Sequence, residues 1–234
     1  MLGIGVHAMR ARGSCFLALA SALPPRTRIA EQRRSTMAVA SFAGRSLSVK
    51  CPTQSDTLAL GAALASVAKA GDVVLLRGDY GAGKTCLARG FLRAWFDDPD
   101  ELVTSPSYLI DNVYPDDEGR ALQPGVTVHH MDLWRLPEGK AAQLIDLERV
   151  FGDCVSLVEW PDRLGEALPA EHLAVYLAIM GQESNDRSAV DATVEFEELE
   201  DQPRVATLTA VGTSWESRVR SNFLVGWPLS EVDR

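Results

Sequence analysis

Residues 73–85 read VVLLRGDYGAGKT, and this stretch decides the fold. Val73 to Arg77 form a short branched, apolar run, the pattern of a strand buried on both faces. Gly78-Asp79-Tyr80-Gly81-Ala82-Gly83-Lys84-Thr85 then fits the phosphate-loop pattern G-x-x-x-x-G-K-[ST]. Glycines allow the backbone to wrap an anion without side chains in the way. Successive N–H groups of such a loop form an anion nest, and the helix predicted from Lys84 to about Phe96 adds its positive dipole end. In this pattern Lys84 reaches the β- and γ-phosphates of a nucleoside triphosphate, and the Thr85 hydroxyl ligates Mg²⁺. A strand before the loop and a helix after it are the context that separates a phosphate loop from a chance match.

Outward from this loop, strand and helix patterns alternate. Residues 46–50 alternate as a short strand, and 56–70 carry apolar residues at helical spacing, with Ser55 as a candidate N-cap. Residues 104–114 read as a loop followed by a strand, 115–125 as a polar hairpin-like loop, and 126–131 as a strand ending at Asp132. A helix is expected over 138–150 and a buried strand over 154–158, ending at Glu159. Strands over 172–180 and 204–211 flank an acidic stretch at 182–203, and 214–225 has helical character. The alternation predicts an α/β fold: a three-layer, P-loop NTPase-like arrangement with a largely parallel central sheet and antiparallel C-terminal edge strands. The expected domains are a transit peptide or disordered extension over 1–45 and one ATPase-type domain over 46–228.

The carboxyl ends of parallel strands face the ligand crevice of such a sheet. Asp132 and Glu159 each end a predicted strand, so both carboxylates could lie beside Thr85. One could hold Mg²⁺ and the other position the attacking water. Either acid could equally cap its strand or pair with Arg135 or Arg163. His129 and His130 point to opposite sides of their strand, so at most one can face the site; a packed or solvated histidine is the plainer reading. Trp134 and Trp160 could stack a base, although large aromatics usually fill cores and interfaces.

Charge limits the function. The chain carries a formal net charge of −9, unevenly distributed. Residues 1–50 contain eight Lys or Arg and one acid, Glu31, whereas 51–234 contain 15 Lys or Arg against 31 Asp or Glu. The basic, Ser- and Ala-containing N-terminal segment has the composition of a targeting peptide, which predicts a plastid or mitochondrial destination. So acidic a body is a poor candidate for gripping nucleic acid directly, because that affinity comes mostly from Lys and Arg on phosphates. No apolar run approaches the roughly 20 residues of a membrane-spanning helix, and no membrane association is expected. The four cysteines form no C-x-x-C pair, which gives no sign of a zinc ribbon or a thioredoxin-like motif.

Four blocks, GDYGAGKTCLARGF (78–91), SPSYLI (105–110), HHMDLWRL (129–136) and LVEWPDRL (157–164), occur together in this order. In this combination the chain resembles TsaE, the YjeE-like bacterial P-loop ATPase of tRNA threonylcarbamoyladenosine (t⁶A) biosynthesis. The resemblance covers about residues 52–181. It implies that Tyr80, Gly81, Ala82, Gly83, Lys84 and Thr85 cradle ATP, that Thr85 and Glu159 bind Mg²⁺, and that Asp132 and Lys84 serve catalysis. It further implies that Ser107, within Ser105-Pro106-Ser107-Tyr108, belongs to a loop sensing the γ-phosphate, and that Gln54 lies near the adenine. The implied partner is a TsaB–TsaD-like complex, with tRNA reached only through it, and the implied intrinsic ATPase activity is low and partner-dependent. Some positions depart from the family pattern: Ser107 replaces Thr, Cys86 replaces a second Thr, Trp134 replaces Tyr, and 182–203 is longer and more acidic. The N-terminal extension is foreign to bacterial members and suggests an organellar eukaryotic version.

Three other readings compete. A small-molecule kinase needs an acceptor pocket and often an arginine-bearing lid, for which 115–125 offers only Arg120. A GTPase-like switch would need a guanine-reading N-K-x-D, which is missing. A non-catalytic, nucleotide-dependent assembly module differs from the ATPase only by turnover in the assembled complex.

Overall fold

The computed structural model describes residues 40–43, 46–181 and 202–221. Most of the basic N-terminal segment, and 182–201 of the acidic stretch, therefore lie outside the described residues. Eight strands are described: β1 (Ala40–Ala43), β2 (Ser46–Cys51), β3 (Val73–Arg77), β4 (Asp111–Tyr114), β5 (Val128–Asp132), β6 (Val155–Glu159), β7 (His172–Ile179) and β8 (Arg204–Val211). They form one sheet in the order β1-β2-β8-β7-β3-β6-β5-β4. The four central strands, β7, β3, β6 and β5, are parallel, and the pairs outside them are antiparallel. Ala40 to Ala43 pair with β2, so the sheet reaches further back than the domain start expected at residue 46.

Helices α1 (Gln54–Val67), α2 (Lys84–Trp95), α3 (Leu147–Asp153) and α4 (Thr213–Ser221) complete the described architecture with 3-10 turns at Ala141–Gln143 and Pro161–Ala167. Alternation along β3 divides the core. Val74 and Leu76 join the larger apolar cluster with α1, α2 and Trp215 of α4. Val73 and Leu75 join the smaller one with Met131, Leu147, Val150 and Leu164. Layers thus cover both faces of the sheet, which explains why the first four residues of β3 are buried.

Two helix predictions need correction. The cap of α1 is Thr53, not Ser55: the Thr53 hydroxyl accepts from Asp56 N at 3.3 Å while the Asp56 carboxylate accepts from Thr53 N at 2.9 Å. This reciprocal T-x-x-D box gives the Thr53 N–H an acceptor and the Asp56 N–H a second one beside Thr53 O. The helix stops at Val67 because the Asp72 carboxylate accepts from Lys69 N at 2.7 Å and from Arg218 Nη2 at 2.7 Å, which holds the turn instead. The continuous helix expected over 138–150 is a 3-10 turn followed by the short α3. Asp146 interrupts it by capping α3, accepting from Arg149 N at 3.3 Å. Ala141, Leu147 and Val150 still reach the smaller core, so the apolar spacing is satisfied without a continuous helix. Strand β5 is also shifted to 128–132 and takes in Asp132.

α1 and α2 cross closely. A Cβ on Gly61 would meet Leu87 O at 2.1 Å, and one on Gly90 would meet Leu58 O at 2.1 Å. Small residues at this crossing bring α2 down against α1 and fix where its first turn, Lys84 and Thr85, projects.

Candidate active site at the carboxyl end of the sheet

The loop from Gly78 to Gly83 joins β3 to α2 at the carboxyl end of the parallel strands. Gly78 has φ 135° and Gly83 φ 101°. At Gly78 a Cβ would lie 2.3 Å from Leu177 O on β7, so both backbone angle and space require glycine. Lys84 is nearly buried. Its Nζ donates to Gly78 O at 2.9 Å and Asp79 O at 2.8 Å, and lies 4.0 Å from the centre of the Trp160 ring. Burial lowers the Lys84 pKa, against the opposing pull of Glu159, Asp132 and Asp79.

Strands β5 and β6 run parallel with Asp132 opposite Glu159, so register sets the two acids side by side at the carboxyl end of the sheet. Glu159 Oε1 accepts from the Thr85 hydroxyl at 2.8 Å and contacts His130 Nε2 at 2.9 Å. Asp132 Oδ2 accepts from Ser105 Oγ at 2.6 Å and Ser107 Oγ at 2.7 Å, and its Oδ1 accepts from Trp134 N at 3.0 Å. Asp132 and Glu159 are 4 % and 3 % exposed, so each carboxylate is held by specific donors rather than by bulk water. The loop carrying Ser105 to Tyr108 is fixed to the sheet by backbone bonds: Ile110 N donates to Pro106 O, and Asp132 N donates to Ile110 O. Tyr108 is 84 % exposed, and Arg135 lies over its ring.

The residues singled out from the sequence occupy different parts of this arrangement. Lys84, Thr85 and Glu159 converge. Asp132 is close enough to act on Lys84 electrostatically, yet its hydrogen bonds go to the serine loop. Gly81, Ala82 and Gly83 contribute backbone, and Tyr80 is about half exposed. Gln54 begins α1, where its carbonyl accepts from Cys86 Sγ at 3.8 Å, beside the first turn of α2. Trp134 and Trp160 contact each other, with ring centres 4.3 Å apart.

Sequence reasoning left one member of the site undecided between two histidines and missed another. His130 is fully buried against Glu159 rather than merely packed or solvated. The signal for it was the two-residue strand period, which puts His130 on the same face as Asp132. His129, on the other face, contacts Asp111 Oδ2 at 2.8 Å. The second is Arg204 of β8, whose Nε donates to Ala82 O at 3.0 Å. Nothing local to residue 204 announces this contact, because it exists only through the pairing of β8 with β7.

The donor set fits a magnesium nucleotide. A threonine hydroxyl, a buried carboxylate and a second acid nearby offer hard oxygen ligands, and Mg²⁺ ordinarily takes one or two carboxylates and keeps several waters. Among the described residues no group of three or more His, Cys, Asp or Glu has the arrangement of an all-protein metal cage. A cavity of about 440 Å³ against α3, lined by Ile145, Leu147 and Phe151 among others, takes no lining residue from the loop.

The family described as "Threonylcarbamoyl adenosine biosynthesis protein TsaE" matches residues 51–189. A tRNA threonylcarbamoyladenosine biosynthesis protein TsaE from Mycobacterium leprae is 37 % identical over 145 residues, covering 59 % of this chain and 86 % of its own. The protein of that name from Bacillus subtilis is 32 % identical over 162 residues, covering 69 % of this chain and 84 % of its own. The crystal structure of Bacillus subtilis YdiB superposes with a TM-score of 0.56 at 28 % identity, covering 77 % of this chain and 95 % of that one. A phosphate loop between a buried strand and a helix, two acids in register at the sheet's carboxyl end, and a family match over more than half the residues lead to one conclusion: the chain belongs to the TsaE family of threonylcarbamoyladenosine biosynthesis proteins.

Proposed function

We propose that the protein is a Mg²⁺-dependent ATPase that drives t⁶A modification of tRNA together with a TsaB–TsaD-like complex. The observation that carries this reading is the contact of Thr85 with Glu159, 2.8 Å between hydroxyl and carboxylate, at the mouth of the phosphate loop. Thr85 and Glu159 would hold Mg²⁺, which supplies charge neutralisation on the phosphate oxygens. The loop backbone from Tyr80 to Thr85 binds the phosphates, and Lys84 exchanges its two loop carbonyls for phosphate oxygens. Asp132 accepts a hydrogen bond from the attacking water and orients it toward the γ-phosphorus. Ser105 and Ser107, already on Asp132, couple that carboxylate to the exposed Tyr108 loop, a route by which a partner could govern turnover. His130 holds Glu159 in place through Oε1, the same oxygen that meets Thr85.

The acidic body supports an indirect relation to tRNA, with the partner complex carrying the nucleic acid. The basic composition of residues 1–45 supports import into a plastid or mitochondrion, tested by fusing that segment to a fluorescent protein. A lid-bearing kinase is disfavoured by position. Arg120 is paired with Glu118 at 2.9 Å, and its loop bonds to the far end of α2 through Leu122 N and Trp95 O. A 12-residue helix puts that end roughly 18 Å from the phosphate loop.

Reconstitution tests the proposal. The purified chain with TsaB–TsaD-like partners, ATP and Mg²⁺ is expected to sustain repeated t⁶A formation on tRNA, and Lys84→Ala is expected to stop it after the first turnover. Undiminished repeated turnover by Lys84→Ala would overturn the ATPase role. Transfer of phosphate to a small acceptor without partners would favour the kinase.

A further inference from the structure

A phosphate loop that turns its N–H groups toward an anion must turn carbonyls elsewhere, and buried carbonyls need donors. In this chain the donors for two of them come from Arg204, at the start of β8. Its Nε donates to Ala82 O at 3.0 Å, its Nη2 to Gly81 O at 3.3 Å, and its Nη1 to Gln202 O at 2.7 Å. The side chain is 4 % exposed, so the guanidinium lies inside the protein, against the loop. Its packing also bears on the loop sequence: a Cβ on Gly83 would come within 3.2 Å of Arg204 Nε.

We propose that Arg204 is a positioning residue for nucleotide binding, bracing the Gly81–Ala82 segment through its two carbonyls. The inference rests on the nucleotide-binding reading above. It makes the last strand of the sheet part of the binding machinery, although β8 lies far along the chain from the loop. Arginine is specific here. Its planar fork meets Ala82 O and Gly81 O together, whereas a lysine ammonium brings the charge without the fork. Because Arg204 holds the loop rather than a transferring group, its loss weakens ADP and ATP alike and raises KM more than it lowers kcat.

The test is titration of fluorescent ADP with Mg²⁺ into the full chain and into Arg204→Lys, Arg204→Met and Leu208→Val, with a melting curve for each. Leu208 is a buried residue of the same strand that belongs to the apolar core, so Leu208→Val perturbs β8 without touching the loop. Arg204→Lys is expected to bind ADP about 10- to 100-fold more weakly, the scale of a buried acceptor left unpaired, with Arg204→Met weaker still. Leu208→Val is expected to lower Tm and leave ADP affinity unchanged. Wild-type affinity in Arg204→Lys, or equal losses in Arg204→Lys and Leu208→Val, would overturn the positioning role while leaving the nucleotide reading intact. Failure of the wild type to bind ADP would overturn both.

Discussion

The two places where α2 meets the rest of the molecule are built on opposite principles. Along its length, Leu87, Phe91, Leu92 and Trp95 are completely buried among apolar side chains, and Gly90 lets α1 approach to backbone contact. At its first turn, Lys84 is nearly as buried, yet it feels the carboxylates of Glu159 and Asp132, both at most 4 % exposed, and Glu159 in turn contacts the buried His130. The first region lowers the free energy of the fold. The second concentrates charge away from water, which stabilises a folded protein little or costs it stability. The difference separates residues that hold the structure from residues that the proposed function needs at a cost in stability.

Substitutions at the two ends should therefore fail in different assays. The largest effect is expected from Phe91→Ala, which leaves a cavity in the α1–α2 layer and should cost about 3–5 kcal/mol in urea unfolding. Loss of activity beyond the loss of folded protein would blur the comparison. Next, Glu159→Gln should reduce ATP turnover in the reconstituted complex by about 100-fold or more, the scale of losing a preorganised electrostatic contact. Its unfolding midpoint should stay near that of the wild type. A large fall in stability with normal turnover would reverse the roles assigned to the two regions.

Gly90→Ala comes third. Its new methyl has no room beside Leu58 O, and overpacking of this kind costs about 1–3 kcal/mol. Thr53→Ala removes half of the α1 capping box and should cost about 1 kcal/mol by the same measurement. The smallest effect is a pH dependence. Burial lowers the Lys84 pKa in the folded chain below its ordinary value of 10.5. Between the two values the unfolded chain binds more protons, so stability rises with pH across that window. Below the folded value both states are protonated, and the cost of the buried charge is constant. Lys84→Met should flatten this rise in urea melts taken as the pH approaches 10.5 from below. A slope unchanged by the substitution would assign the rise to other groups.

Local chemistry made much of this legible. The strand–loop–helix unit around Gly78 to Thr85 follows from one loop pattern and its flanks, because backbone conformation there is imposed by glycines and short-range spacing. Asp132 and Glu159 were recognisable as strand-end acids because parallel strands deliver their carboxyl ends to one crevice. Boundaries were less legible where side chains compete for the backbone. Thr53, Asp72 and Asp146 all end or start helices by bonding main-chain N–H groups, and apolar periodicity carries no trace of such bonds.

Sequence alone determined the phosphate loop, the α/β class, the acidic body and the family resemblance, because each is written in contiguous residues or in composition. Only the tertiary structure decided that Glu159 takes both Thr85 and His130, that Asp132 answers to Ser105 and Ser107, and that Arg204 reaches Gly81 and Ala82. These contacts join residues 25 to 123 positions apart. Their geometry comes from strand order and register, which are properties of the packed sheet rather than of any segment within it.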